Sequence, residues 1–115
     1  MESLDLVTIL VALFSILLSL SIHEWAHGYS AFVFGDHTAK NSGRLTLNPL
    51  AHIDILGTII LPLISLVSSL PLFGWAKPVP VNPANFKGNL SPRKQMMAVA
   101  FAGPLSNLLL AVLSL

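Results

Sequence analysis

Residues Leu6 to Phe34 are predominantly apolar, and as a helix they would measure ~43 Å, more than the ~30 Å of a bilayer's hydrocarbon layer. A run of this kind is satisfied by a helix that pairs its backbone internally and presents its side chains to lipid. Inside it, however, stand His23, Glu24 and His27. On a helix turning ~100° per residue, His23 and His27 lie ~40° apart, with Glu24 inside the same ~100° arc, so all three converge on one point. An ionised side chain in mid-membrane costs about 2.5–3.5 kcal/mol on insertion scales, which makes such residues markers of function rather than of packing.

The rest of the composition agrees with a membrane setting. The chain is 54% hydrophobic and 10% charged, with a mean hydropathy of +0.77, outside the usual range of soluble domains. A formal net charge of +1 gives no electrostatic footprint for a nucleic acid, so none is expected as a partner. Cysteine is absent, which leaves His, Asp, Glu or backbone oxygen as the available metal ligands. Glu2 and Asp5 stand where a cleavable leader would be basic, so the first run reads as a retained anchor. Met96 to Leu115 is a second apolar stretch that stops without a cap or polar flank, and a truncated chain is the expectation.

Between the two runs the pattern is irregular. Gly35 should end the first helix, and Gly43-Arg44-Leu45-Thr46-Leu47 alternates polar with apolar as a short edge strand would. Ile55 to Leu72 is apolar but interrupted by Pro62 and bounded by Pro71. A full crossing there would put Lys40 and Arg44 opposite Lys77, Lys87, Arg93 and Lys94, a split the positive-inside rule disfavours. A re-entrant path with its turn near Pro62 would leave all six basic residues on the cytoplasmic face. The prolines of Lys77-Pro78-Val79-Pro80-Val81-Asn82-Pro83 favour extended geometry. Trp25 and Tyr29 read as interfacial anchors, and Ala26, Gly28, Ser30 and Ala31 as room for a neighbouring helix.

His-Glu-x-x-His on a helix is the arrangement in which two imidazoles hold Zn²⁺ and the carboxylate serves as general base. Each ligating imidazole also needs an acceptor for its other N–H. A catalytic zinc normally takes three protein ligands, and the motif supplies two. Val33 and Ser30 occupy the positions where a metzincin-like pattern would have its third His and its Gly, and no Glu follows Glu24. Asp36, His37, His52, Asp54 or a residue beyond Leu115 remain for the third place. His52 and Asp54 read more simply as a turn-stabilising pair, Asn107 as a contact between helices, and His37 as solvated.

Four ordered segments carry a family resemblance: His23-Glu24-Trp25-Ala26-His27-Gly28, Arg44-Leu45-Thr46-Leu47-Asn48-Pro49 with His52-Ile53-Asp54, Phe73-Gly74-Trp75-Ala76-Lys77-Pro78-Val79-Pro80-Val81-Asn82, and Phe101-Ala102-Gly103-Pro104-Leu105-Ser106-Asn107. Together they resemble the site-2 protease family of intramembrane zinc metalloproteases, over nearly the whole chain. The resemblance implies that His23 and His27 are zinc ligands and Glu24 the catalytic base. It also implies substrates that are membrane proteins cut within or beside the bilayer. The family's third ligand is an aspartate in a later Asp-Gly motif, which nothing here matches, so this chain on its own is expected to be inactive.

The expected fold class is therefore mainly α: polytopic membrane helices with a short β or extended loop region between the first and second apolar segments. It would form one membrane-embedded domain over 1–115, with spans at about 4–34 and 95–115 and a re-entrant or third membrane segment at 55–72. The expected partners are the lipid bilayer and membrane-protein substrates, and the expected place is the plasma membrane of a prokaryote. Two other readings stay open, an inactive metal-binding scaffold and a transporter that relays protons or metal ions through the same residues.

Overall fold

The computed structural model describes residues 5–68 and 77–115. Helix α1 spans Leu6–Val33. Asp5 opens it by accepting the Thr8 N–H at 2.7 Å, which satisfies one of the amides a helix start leaves unpaired. The exit is a Schellman turn. Gly35, at φ 102°, takes the left-handed conformation, while Gly35 N–H reaches the Phe32 carbonyl (3.0 Å) and Asp36 N–H the Ala31 carbonyl (2.9 Å).

Helix α4, Pro92–Leu113, starts with Ser91 as cap and Pro92 in the first turn, where its missing N–H costs nothing. It lies antiparallel to α1. His27 meets Val99, His23 meets Asn107 and Ser19 also meets Asn107, so contacts run down one helix as they run up the other. Both helices are long and apolar enough to cross a membrane.

Packing is inverted relative to a water-soluble bundle. The buried residues of α1 are Ser21, Ala26, Gly28 and Ala31, whereas Leu6, Val7, Leu10, Val11 and Phe14 are exposed. Small residues inside let two backbones approach, and large apolar ones outside suit a lipid solvent, in which leucine gains nothing by being hidden. The small-residue face is covered, with Ser30 half-buried beside the buried Gly28 and Ala31, but at Gly28 what covers it is Val79, Ala39 and Leu45 of the connecting segment.

Between α1 and α4 the chain forms a short helix α2 (Thr38–Asn41), a 3₁₀ turn at Pro49–His52, a π-helical stretch at Ile55–Ile60 that continues into α3 (Leu61–Ser68), and a 3₁₀ turn at Pro83–Asn85. The π-turn has a local cause. Pro62 would drive its ring into the carbonyl four residues back, and the wider turn, with Leu61 N–H bonding Leu56 O, relieves that clash. Pro62 accordingly lies within a continuous helical run, and no chain reversal occurs at it.

The expected strand at Gly43 to Leu47 is not formed, and the described residues contain no strand. Alternation makes a strand only where a second chain segment offers a ladder, and here local turns take the donors and acceptors instead. Arg44 N–H closes back on Ala39 O, Thr46 Oγ1 accepts from Asn48 N–H, and the Thr46 carbonyl accepts from the His52 ring.

One end of the molecule is tied together by several long-range bonds. Lys87 N–H donates to Phe34 O at 2.7 Å and Lys77 N–H to His52 O at 2.8 Å. Arg44 Nη2 donates to Lys77 O at 2.7 Å, and the Gln95 amide donates to Lys87 O. Buried Asp36 is the hub of this end: it accepts from Thr38 N–H and Oγ1, from Asn82 N–H at 2.7 Å and from the Asn85 amide at 3.1 Å. Burial pushes the Asp36 carboxyl up, but the donors of Thr38, Asn82 and Asn85 outweigh it and hold the group below the usual aspartate value.

Candidate metal centre

The i, i+4 spacing on α1 stacks His23 over His27, and the two rings meet edge to face with centroids 4.5 Å apart. Their Nε2 atoms face one another at 2.9 Å. Each ring's other nitrogen is occupied from α4. His27 Nδ1 lies 2.7 Å from the Val99 carbonyl, and His23 Nδ1 lies 3.1 Å from the Asn107 amide. Because a carbonyl only accepts, His27 carries a proton on Nδ1.

Glu24 completes the group: ligand atoms of His23, Glu24 and His27 all lie within 4.8 Å of one another, and all three residues are half-buried. The carboxylate is held by a backbone donor, with Val79 N–H reaching Glu24 Oε2 at 3.0 Å. Pro78 and Pro80 on either side have no N–H to offer, so Val79 presents an isolated donor. Val79 is brought there by close packing. A Cβ on Gly28 would come within 3.1 Å of Val79 Cγ1 and 3.3 Å of both Ala39 Cβ and Leu45 Cδ1, so the bare glycine lets this segment lie against α1.

Gly103 plays the same part on α4. A Cβ at this position would fall 2.5 Å from His27 Nε2 and 2.7 Å from His23 Cε1, inside any allowed contact. Helix α4 can therefore lie directly over the imidazole pair only because residue 103 lacks a side chain.

The donor set suits a metal ion. Two imidazole nitrogens on one tetrahedral zinc, at 2.0–2.1 Å each, stand about 3.3 Å apart, so the pair at 2.9 Å needs to open by a few tenths of an ångström. The Val99 carbonyl on His27 Nδ1 is an acceptor of the kind that orients a ligating histidine.

The other candidates for a third ligand do not join this group among the described residues. Asp36 is the loop hub already described. His37 is exposed and packs on Phe32 with centroids 4.8 Å apart. His52 is fully buried, its Nε2 donating to Thr46 O at 2.8 Å. Asp54 caps the π-helical stretch, accepting from Leu56 N–H at 3.0 Å. The last two act in turns, and the partners of the imidazoles are Asn107 and Val99 instead. Asn107 does link two helices, as expected, but the group it touches is one of the two histidines. Val99 had no signal in sequence, because its contribution is a main-chain carbonyl that every residue possesses. Trp25 stacks on Tyr29 with centroids 5.0 Å apart on the outer side of α1, and Phe73 to Ala76 of the third resemblance segment lie outside the described residues.

No family model matches the chain, and no solved structure does. Two curated proteins are similar to it. It is 50% identical over 97 residues, 84% of this chain and 40% of the relative, to the Bacillus subtilis (strain 168) protein named putative zinc metalloprotease YwhC. It is 36% identical over 99 residues, 86% of this chain and 36% of the relative, to the Mycolicibacterium smegmatis (strain ATCC 700084 / mc(2)155) protein named putative zinc metalloprotease Rip2. The chain thus spans about two fifths of the length of these relatives. With four ordered motifs, a His-Glu-His group assembled on an apolar helix and zinc metalloproteases as its relatives, the chain belongs to the site-2 protease family.

Proposed function

We propose that this chain carries the catalytic helix of a zinc endopeptidase that hydrolyses peptide bonds of membrane proteins within or beside the bilayer. The observation that carries the reading is the convergence of two imidazole Nε2 atoms at 2.9 Å, with a carboxylate in the same group, on a helix whose outer face is suited to lipid. His23 and His27 hold the metal, and a third ligand comes from outside the described group. Bound there, zinc supplies a Lewis acid that acidifies water and polarises the scissile carbonyl. Glu24 takes up the proton released on attack and returns it to the leaving amine. The Val79 N–H fixes one carboxylate oxygen, which keeps the base turned toward the imidazole pair rather than free to rotate.

Membrane topology follows the same reading. The bond from Lys77 N–H to His52 O holds residues 52 and 77 at one place. The described helical part between them, Ile55 to Ser68, is ~21 Å long, short of a ~30 Å crossing. The long-range bonds bring Arg44, Lys77 and Lys87 to the α1 exit, Lys40 lies over the Phe32 ring there, and Arg93 and Lys94 begin α4 at the same end. A re-entrant segment between two spans, with this basic end on the cytoplasmic side of a prokaryotic plasma membrane, accounts for all of these positions. The site then lies shallowly below that surface, where water can enter.

The test is Glu24→Gln in the full-length protein. The amide keeps the shape but cannot accept the proton, so zinc content is expected to stay at the parent's level while cleavage of a membrane-protein substrate is lost. Cleavage by the variant at the parent's rate would remove Glu24 from the mechanism.

A further inference from the structure

Arg44 and His52 each carry a polar atom that the fold leaves unsatisfied. Arg44 Nε and His52 Nδ1 are buried with no hydrogen-bond partner among the described residues, an arrangement that lowers stability and calls for another reason to keep it. Both residues hold the same place. Arg44 Nη2 donates to Lys77 O at 2.7 Å, and the His52 carbonyl accepts from Lys77 N–H at 2.8 Å. Lys77 is thus gripped on both of its main-chain polar groups.

Two residues further on, the same segment reaches the catalytic helix. Val79 is buried, and its N–H donates to Glu24 Oε2 at 3.0 Å. Beyond it, Asn82 N–H donates to Asp36 Oδ2 at 2.7 Å. The strap from Lys77 to Asn82 is therefore tied at both ends and touches the Glu24 carboxylate in between. Pro78 and Pro80 hold φ near about −65° and restrict Lys77 and Val79, the residues before them, to extended geometry. Such a strap has little slack, so a shift at Lys77 is passed on to the Val79 N–H instead of being absorbed between them.

We propose that Arg44 is a positioning residue for Glu24, acting through Lys77 and the proline-stiffened strap to hold the Val79 N–H on the carboxylate. This rests on the reading of Glu24 as the general base. The unsatisfied Nε fits the role: Arg44 is kept for where its Nη2 holds Lys77, at the expense of its own burial.

The experiment uses the full-length protein in lipid nanodiscs. Arg44→Met keeps an apolar stem and removes every donor, whereas Arg44→Lys keeps one donor for the Lys77 carbonyl. In Arg44→Met, kcat on a membrane-protein substrate is expected to fall roughly 10- to 100-fold, the upper value being the cost of a misplacement of about 1 Å. KM, zinc content and the thermal midpoint are expected to stay close to the parent's, because the variant also removes the unsatisfied Nε. Arg44→Lys is expected to recover kcat to within a few fold. Hydrogen exchange at Val79, the single amide between Pro78 and Pro80, gives a readout independent of catalysis when followed with ¹⁵N-labelled valine. That amide is expected to be protected in the parent and in Arg44→Lys, and to exchange faster in Arg44→Met. Parent-like kcat or parent-like Val79 protection in Arg44→Met overturns the inference. So does a raised KM with kcat unchanged, which would put Arg44 on the substrate, or a loss in Arg44→Met that Arg44→Lys does not recover. Parent-like cleavage by Glu24→Gln would instead overturn the base assignment, a separate result because Arg44 and the strap are intact in that variant.

Discussion

Gly103→Ala adds a single methyl group, and the structure states where it lands: 2.5 Å from His27 Nε2, 2.6 Å from His27 Cε1 and 2.7 Å from His23 Cε1. Carbon atoms in contact sit about 3.5–4.0 Å apart, so roughly 1 Å must be found. His27 cannot simply swing away, because its Nδ1 is bonded to Val99 of the same helix that brings the methyl. Either α4 retreats and takes the Val99 and Asn107 contacts with it, or the rings splay and leave their converging geometry. Forcing a methyl into a close-packed site costs about 1–3 kcal/mol, which at 1.4 kcal/mol per decade is a loss of roughly 5- to 150-fold in zinc affinity. Alanine is also the better helix former by about 1 kcal/mol, so the helix itself should not suffer. Chelator competition for zinc, paired with circular dichroism in nanodiscs, separates the two effects. The expected outcome is weakened zinc binding with helix content kept. Parent-like zinc affinity would mean that α4 does not lie over the histidine pair as described.

Other perturbations test the loops and the topology. Asp36→Asn leaves one acceptor for four donors and sets an NH₂ against an N–H, so a loss of about 1–3 kcal/mol in thermal stability is expected. Because the folded carboxyl titrates below its unfolded value, that stabilisation is complete above about pH 3.9 and is lost as pH falls through the folded pKa. The parent's advantage over Asp36→Asn should therefore shrink on acidification below about pH 3.9, and a gap that widened there would reverse the assignment. Lys40→Cys and Lys87→Cys, treated separately with an impermeant maleimide in sealed vesicles, should be labelled from the same side, whereas labelling from opposite sides would exclude the re-entrant path.

Much of this protein is written in local covalent geometry. The 3.6-residue turn alone puts His23, Glu24 and His27 on one arc, and the length and apolarity of residues 6–34 are enough to demand a helix in lipid. Gly35 as helix terminator and the small-residue face of α1 were readable for the same reason, since each depends on residues within a turn or two. Alternation at Gly43 to Leu47 misled because a strand is defined by its partner, and no partner lies in the string of letters. The partners of the two imidazoles were equally hidden. Val99 and Asn107 lie 72 and 84 residues from the rings they touch, and which turn of α4 faces His23 depends on how closely the two backbones approach. That approach is decided by an absent side chain at Gly103, and the placing of Val79 on Glu24 by another at Gly28. Sequence alone determined that residues 6–33 form one long apolar helix with His23, Glu24 and His27 on one arc, because both features follow from neighbours along the chain. Only the tertiary structure decided which atoms hold the site in place, because those contacts are made through space by groups with no distinguishing spacing.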